Sequence, residues 1–298
     1  MKIKSLPTRG RAKRLFRSRL KIDFPGSVSH ITQRALGKEI LFKEDTDYIY
    51  MLGLLRSAVE KFQIDILSFC LMPSDIHVLV KLNNNSLSSS MKMVFGTYAT
   101  YFNKKYSRKG HVFCGAFRQA VCFDDSYVLA ASIYIHLNPK RAGLVKDPAS
   151  FKWSSCGLYL NSARIESFVE QNFILNILNQ EESKAKEDYQ RLVGLAGEVK
   201  ISETYEDKYA LDCFRAKIID LAQDMDSLRN SETWDLLNDQ VLNKQIEELR
   251  LKGKLRTLEQ KKACRYLIEQ LRTRGYNISQ IAKKLSFSRM GIYKILWT

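Results

Sequence analysis

The stretch Leu71–Leu82, LMPSDIHVLVKL, decides how the chain is read. Pro73 and Ser74 are turn residues, and the β-branched run after them reads as a strand, as does IDILSFCLM before them. Side chains two apart on a strand share a face, so Asp75, His77 and Leu79 point one way while Ile76, Val78 and Val80 enter the opposite layer. A carboxylate and an imidazole side by side are half of a divalent-metal site. The same D-x-H spacing after a turn also describes a solvated strand edge, so a third ligand is needed to choose between them.

Working outward, SVSHITQRA has the period-two apolar spacing of a strand, and DTDYIYMLGLLRSAVEKF reads as a helix opened by an acidic cap. Together these segments predict an α+β layout. Downstream, SLSSSMKMVFGTYATYFNKKY predicts a helix with serine caps, and the glycine-punctuated SRKGHVFCGAFRQAV is irregular or a short strand. DDSYVLAASIYIHLNPKRAGLV predicts a helix capped by Asp124 or Asp125, which Pro139 should end soon after Leu137. Within it Tyr134 and Asn138 are four apart and share a face, with Tyr127 on nearly the same stripe. Either the tyrosines pack on the sheet and Asn138 closes the helix, or this face supplies the missing ligand. Beyond about Gly194 the pattern turns to charged helices alone. This predicts a basic arm (1–26), an α+β domain (27–194) and a helical C-terminal domain (195–298). No internal repeat or low-complexity segment interrupts them.

Composition narrows the partners. The chain has 298 residues, with 48 Lys+Arg against 32 Asp+Glu for a net charge of +16. The first twenty residues hold eight basic and no acidic side chains, Arg9, Arg11, Lys13 and Arg14 among them. Such an arm attracts polyanions, foremost nucleic acid through counterion release. An anionic membrane is the weaker partner because no amphipathic apolar face accompanies the charge. No apolar run is long enough for a signal peptide or a spanning helix, so a cytoplasmic location is expected. Cys70, Cys114, Cys122, Cys156, Cys213 and Cys264 form no CxxC pair, which argues against a disulfide framework or a thiol metal site.

The ordered set SHITQRA, LMPSDIHVLV, YFNKKYSRKGHVFCGAFRQ, YIHLNPKRAGLVKDPASFKWSS and AKEDYQRLV resembles the single-tyrosine HUH transposases, most closely their REP-associated branch, over roughly Ser27 to Val193. The resemblance implies a ferredoxin-like domain that cleaves and rejoins single-stranded DNA, hairpin or repeat, through a 5′-phosphotyrosine and a free 3′-hydroxyl. It implies Tyr134 as nucleophile and places the metal-holding pair on Asp75 and His77, with the amide on Asn138. Mg²⁺ or Mn²⁺ is the implied cofactor, since oxygen-rich sites favour hard cations. Arg34 and Arg118 are further nucleic-acid candidates. Two positions depart from the pattern: Asp75 stands for the first histidine of the pair, and Ala116 for the arginine usual in GRF. Asp75 either keeps the site as an oxygen ligand or marks a catalytically silent descendant that binds DNA, or structured RNA, as a regulator.

The C-terminal ISQIAKKLSFSRMGIYKILW has helix-turn-helix spacing over about 278–297. Ile278, Ile281 and Leu285 should face inward, Ala282 should sit where two helices approach, and Ile292 and Ile295 should anchor the second helix. Lys283, Lys284, Arg289 and Lys294 are then placed for duplex DNA. A plain helical bundle has the same spacing.

Overall fold

The computed structural model describes residues 21–198 apart from 38, 123 and 162–165, and in the C-terminal part 214–215, 217–218, 221, 239–252, 255, 258–273 and 276–297. Arg9, Arg11, Lys13 and Arg14 lie outside the described residues.

The first elements are β1 (Val28–Arg34), α1 (Asp45–Phe62), β2 (Ile64–Leu71), β3 (Asp75–Leu82), α2 (Leu87–Lys105) and β4 (Arg118–Cys122). The strands form one sheet in the order β2-β3-β1-β4 with every pair antiparallel. This βαββαβ path is the ferredoxin-like, α+β arrangement expected from the sequence. β2 and β3 meet in a hairpin whose tip is Pro73 and Ser74, closed by Met72 N–H donating to Asp75 O at 2.7 Å. α1 covers the stretch read as a helix and begins at a buried carboxylate: Asp47 accepts from the backbone N–H groups of Lys43 and Glu44.

α3 (Asp125–Arg141) changes the expected picture. Its N-cap is Asp124, whose side chain accepts from Tyr127 N–H. The helix does not stop at Pro139 but runs on to Arg141. Only one N–H is lost there, in the last turn, and the stop comes from Gly143 at φ +70, a left-handed C-terminal position. Ala142 N–H returns to Asn138 O and Leu144 N–H to Pro139 O.

From Tyr127 to Pro139 every residue of α3 is buried. A helix buried all round is enclosed on all sides: α3 contacts β2, β3 and β4 on one flank, and α5 (Asn172–Leu178) and α6 (Glu182–Gly197) on the other. A 3-10 turn (Pro148–Ser150) and the short α4 (Cys156–Leu160) close one end. Ile76, Val78 and Val80 are fully buried on the other sheet face, which α1 and α2 must cover. Residue 194 lies inside α6, and the packing of this first core continues to Phe214 and Ile218.

A second apolar cluster joins α7 (Asp239–Lys252), α8 (Leu258–Thr273), α9 (Ile278–Leu285) and α10 (Arg289–Trp297). Asn277 caps α9 in a reciprocal capping box with Gln280, and Ser286 ends it in the left-handed region at φ 58. Ile281, Ala282, Leu285 and Ile292 are buried, with Ile278 and Ile295 packed beside them. No helix among the described residues is long and apolar enough to cross a membrane.

Candidate active site

The antiparallel register sets Arg34 opposite Asp75 and Thr32 opposite His77 across β1 and β3. His30, two residues before Thr32, therefore shares the face of His77, and its Nε2 lies 3.1 Å from His77 Nδ1. Both rings are buried. Burial, against a smaller opposing pull from Asp75, lowers the His77 pKa to about 4, so at neutral pH its imidazole is uncharged. The hydrogen bonds of His77 fall on Nδ1, to His30 and Thr32. If Nδ1 is the protonated nitrogen, Nε2 keeps a lone pair for a cation.

Asp75 is held at the rim. Arg34 Nε donates to Oδ1 at 2.6 Å and Ser74 Oγ donates to Oδ2 at 2.9 Å. The solvated-edge reading is thus corrected for His77, while Asp75 remains partly exposed and ion-paired. Arg34, a nucleic-acid candidate from the sequence, spends at least one donor on that carboxylate.

Asn138 is the third member. It is fully buried, and neither its Oδ1 nor its Nδ2 has a hydrogen-bond partner. An orphaned buried amide costs about 1–3 kcal/mol, so its persistence at the site calls for a ligand. Asp75, His77 and Asn138 line one cavity of about 250 Å³ together with Arg34, Met72, Pro73, Ser74, Ala142 and Leu144. That volume exceeds what a bare ion needs and suits a hydrated cation or a phosphodiester group. Among the described residues there is no cluster of three His, Cys, Asp or Glu side chains that could hold a metal; the third donor here is an amide. Two oxygen donors and one imidazole nitrogen fit Mg²⁺ or Mn²⁺.

Tyr134, one turn before Asn138, does not line the cavity. Its ring stands 6.1 Å from that of His30 and 5.7 Å from that of Phe214, and the Arg141 guanidinium lies 5.0 Å above it. Arg215 anchors the Phe214 segment by donating to Asp124 Oδ2 and Ser126 Oγ, both at 2.7 Å. Tyr127 is also buried on α3, with Arg215 4.4 Å above its ring.

Behind the site is a closed polar network that sequence reading missed. Tyr189 O–H is 2.7 Å from His136 Nδ1, His136 Nε2 is 2.8 Å from Ser155 Oγ, and Ser132 Oγ is 2.7 Å from Tyr189 O–H. Ser155 Oγ also accepts from Phe69 N–H on β2. All four side chains are buried, and burial lowers the His136 pKa to about 3. The network fixes the rotation of α3 between the sheet and α6, and so the direction of Tyr134 and Asn138. The YIHLNP and WSS blocks carried the signal, but a structural histidine cannot be told from a catalytic one by spacing.

Among the other candidates, Arg118 begins edge strand β4, in register with Thr32. Lys283, Arg289 and Lys294 are exposed, and Lys284 sits 5.2 Å over the ring of Tyr276.

Asp75, His77 and Asn138 thus line one cavity of an α+β sheet domain, with Tyr134 one turn away on the same helix as Asn138. Residues 28–138 match the family model described as "Transposase IS200 like", so the likeness to the tyrosine transposases read from the sequence is found over the sheet and α3 to Asn138. A solved structure described as the REP-associated tyrosine transposase bound to a REP hairpin aligns with 49% of this chain and 96% of that one, at 16% identity and a TM-score of 0.41. No curated protein matches the chain.

Proposed function

We propose that the chain binds single-stranded or hairpin DNA and cleaves and rejoins it through Tyr134. The observation that carries this is the convergence of Asp75, His77 and the orphaned Asn138 amide on one cavity, inside the segment that matches the IS200-like transposases. In the reaction the phenol of Tyr134 loses its proton, its oxygen bonds to phosphorus, and the 3′-oxygen leaves and takes up a proton. Held by Asp75, His77 and Asn138, a hard divalent cation would supply positive charge at the non-bridging oxygen. Asn138 contributes a neutral oxygen at no desolvation cost of charge, and neutral His77 can offer nitrogen. His136, through α3, holds nucleophile and amide in one orientation. The phosphotyrosine retains the ester bond, so a free 3′-hydroxyl can reverse the step.

The test is a hairpin oligonucleotide labelled at one end or the other and incubated with Mn²⁺. The expected products are a shortened 5′ fragment and a 3′ fragment that travels with the protein under denaturing conditions. Saturable binding with intact DNA selects a second reading, a catalytically silent DNA- or RNA-binding regulator. That reading is favoured by the burial of Tyr134 beneath Phe214 and by the engagement of Asp75 with Arg34.

The C-terminal helices support a duplex contact. α9 and α10 are joined through Ser286–Ser288, the helix-turn-helix spacing, and α10 presents Arg289, Met290, Tyr293 and Lys294 outward. Arg289→Ala is expected to weaken duplex binding by about 1–3 kcal/mol if Arg289 reads a base, or to lower the salt slope by about one unit if it meets only phosphate. Titrations at several salt concentrations check this. Unchanged affinity and slope would assign α10 to packing alone.

A further inference from the structure

The Asp75 carboxylate has two claimants. Arg34 is its register partner across β1 and β3, donates from Nε at 2.6 Å, and lines the same cavity as His77 and Asn138. A divalent cation held at that cavity needs the oxygen that the guanidinium already neutralises. A nucleic-acid phosphate entering the cavity needs the guanidinium, which matches phosphate with the same fork it offers a carboxylate. We propose that Arg34 is a switch between these two partners: paired with Asp75 it opposes cation binding, and drawn to a phosphate it releases the carboxylate, so cation and DNA bind cooperatively. This rests on the cavity being the cation and phosphate site of the proposed function.

The physical reason is charge balance. While Arg34 and Asp75 are paired their charges cancel, which leaves one imidazole and one amide as the remaining donors, too little for a hard dication. Phosphate binding adds negative charge and frees Asp75 in the same movement. Linkage makes the coupling reciprocal: the factor by which DNA tightens the cation is the factor by which the cation tightens DNA. Arg34→Gln breaks the competition, because a neutral amide can still bond Asp75 without cancelling its charge.

The experiment is Mn²⁺ binding to the full-length protein, followed by electron paramagnetic resonance of free Mn²⁺, with and without a single-stranded oligonucleotide. Mn²⁺ taken up by the oligonucleotide alone is subtracted. All proteins carry Tyr134→Phe so that no strand is cut, and circular dichroism checks that each is folded. For otherwise unaltered protein the oligonucleotide should tighten Mn²⁺ by about tenfold. Arg34→Gln should bind Mn²⁺ about tenfold tighter without DNA and lose the DNA dependence. Arg34→Lys keeps the charge on a flexible stem and should stay weak, which guards against a folding artefact in the glutamine variant. Equal Mn²⁺ affinity with arginine or glutamine at position 34, while Asp75→Asn loses it, overturns the switch and leaves the metal site standing. Failure of every variant to bind Mn²⁺, with or without DNA, overturns the switch and the cation part of the proposed function together.

Discussion

Tyr134→Phe is expected to reduce covalent capture of a cleaved strand to background, while affinity for the same oligonucleotide falls by less than about threefold, as the net worth of one hydroxyl contact allows. The ring stays, so its contacts with His30, Phe214 and Arg141 should keep α3 in place. What disappears is the phenolic oxygen to which the proposed function assigns the phosphotyrosine bond. Tyr127→Phe is the control: it lies nearly two turns back on α3, beneath Arg215, and should leave capture intact. Capture that survives Tyr134→Phe and is lost in Tyr127→Phe would transfer the role. A labelled oligonucleotide on a denaturing gel reads both variants.

His136→Ala should produce the largest loss of stability. The imidazole touches Tyr189 and Ser155 in a region with no exposed surface. Its removal leaves two buried hydroxyls short of a partner and a void between α3 and α6, a combination that costs about 3–5 kcal/mol. Strand capture should fall with it even at temperatures where the protein is folded, because Tyr134 and Asn138 depend on the same helix orientation. The acid limb of stability gives a second handle. The folded pKa of His136, about 3, lies below its ordinary value of 6.5, so the unfolded chain binds more protons between those values. Its contribution is fully present above about pH 6.5 and is lost as pH falls toward 3, at up to about 1.4 kcal/mol per pH unit. Buried, neutral His77 acts with the same sign. Denaturant titrations from pH 7 to pH 5 should therefore show falling stability, with a shallower slope in His136→Gln. A slope equal to that of the unaltered protein would show that His136 does not set the acid limb.

The hairpin, the sheet strands and α1 could be read from residues because their signals are local: period-two runs, Pro73 and Ser74 at a tip, an acidic start. The site was half legible. Asp75 and His77 share a face by parity alone, and Tyr134 and Asn138 share one by helical spacing. The meeting of Asp75, His77 and Asn138 in one cavity depends on α3 lying across the sheet, which residue spacing alone does not state. His30 was hidden because its role arises from the register of β1 against β3. Arg34 read only as a nucleic-acid candidate, and its pairing with Asp75 comes from the same register. Pro139 misled as a helix stop because the stop belongs to Gly143, two residues past Arg141, where a left-handed backbone closes the turn. The cover of Tyr134 comes from Phe214, far downstream, and only packing could bring it there.

Mass mapping of the covalent product decides whether this cavity and this tyrosine perform strand transfer. Full-length protein incubated with a hairpin oligonucleotide and Mn²⁺, then digested, should yield one peptide carrying nucleotide mass, with the modification on Tyr134 and none formed in the presence of a chelator. Salt-dependent hairpin binding with no modified peptide, whatever divalent cation is supplied, would contradict it and leave a nucleic-acid-binding protein built on a transposase fold.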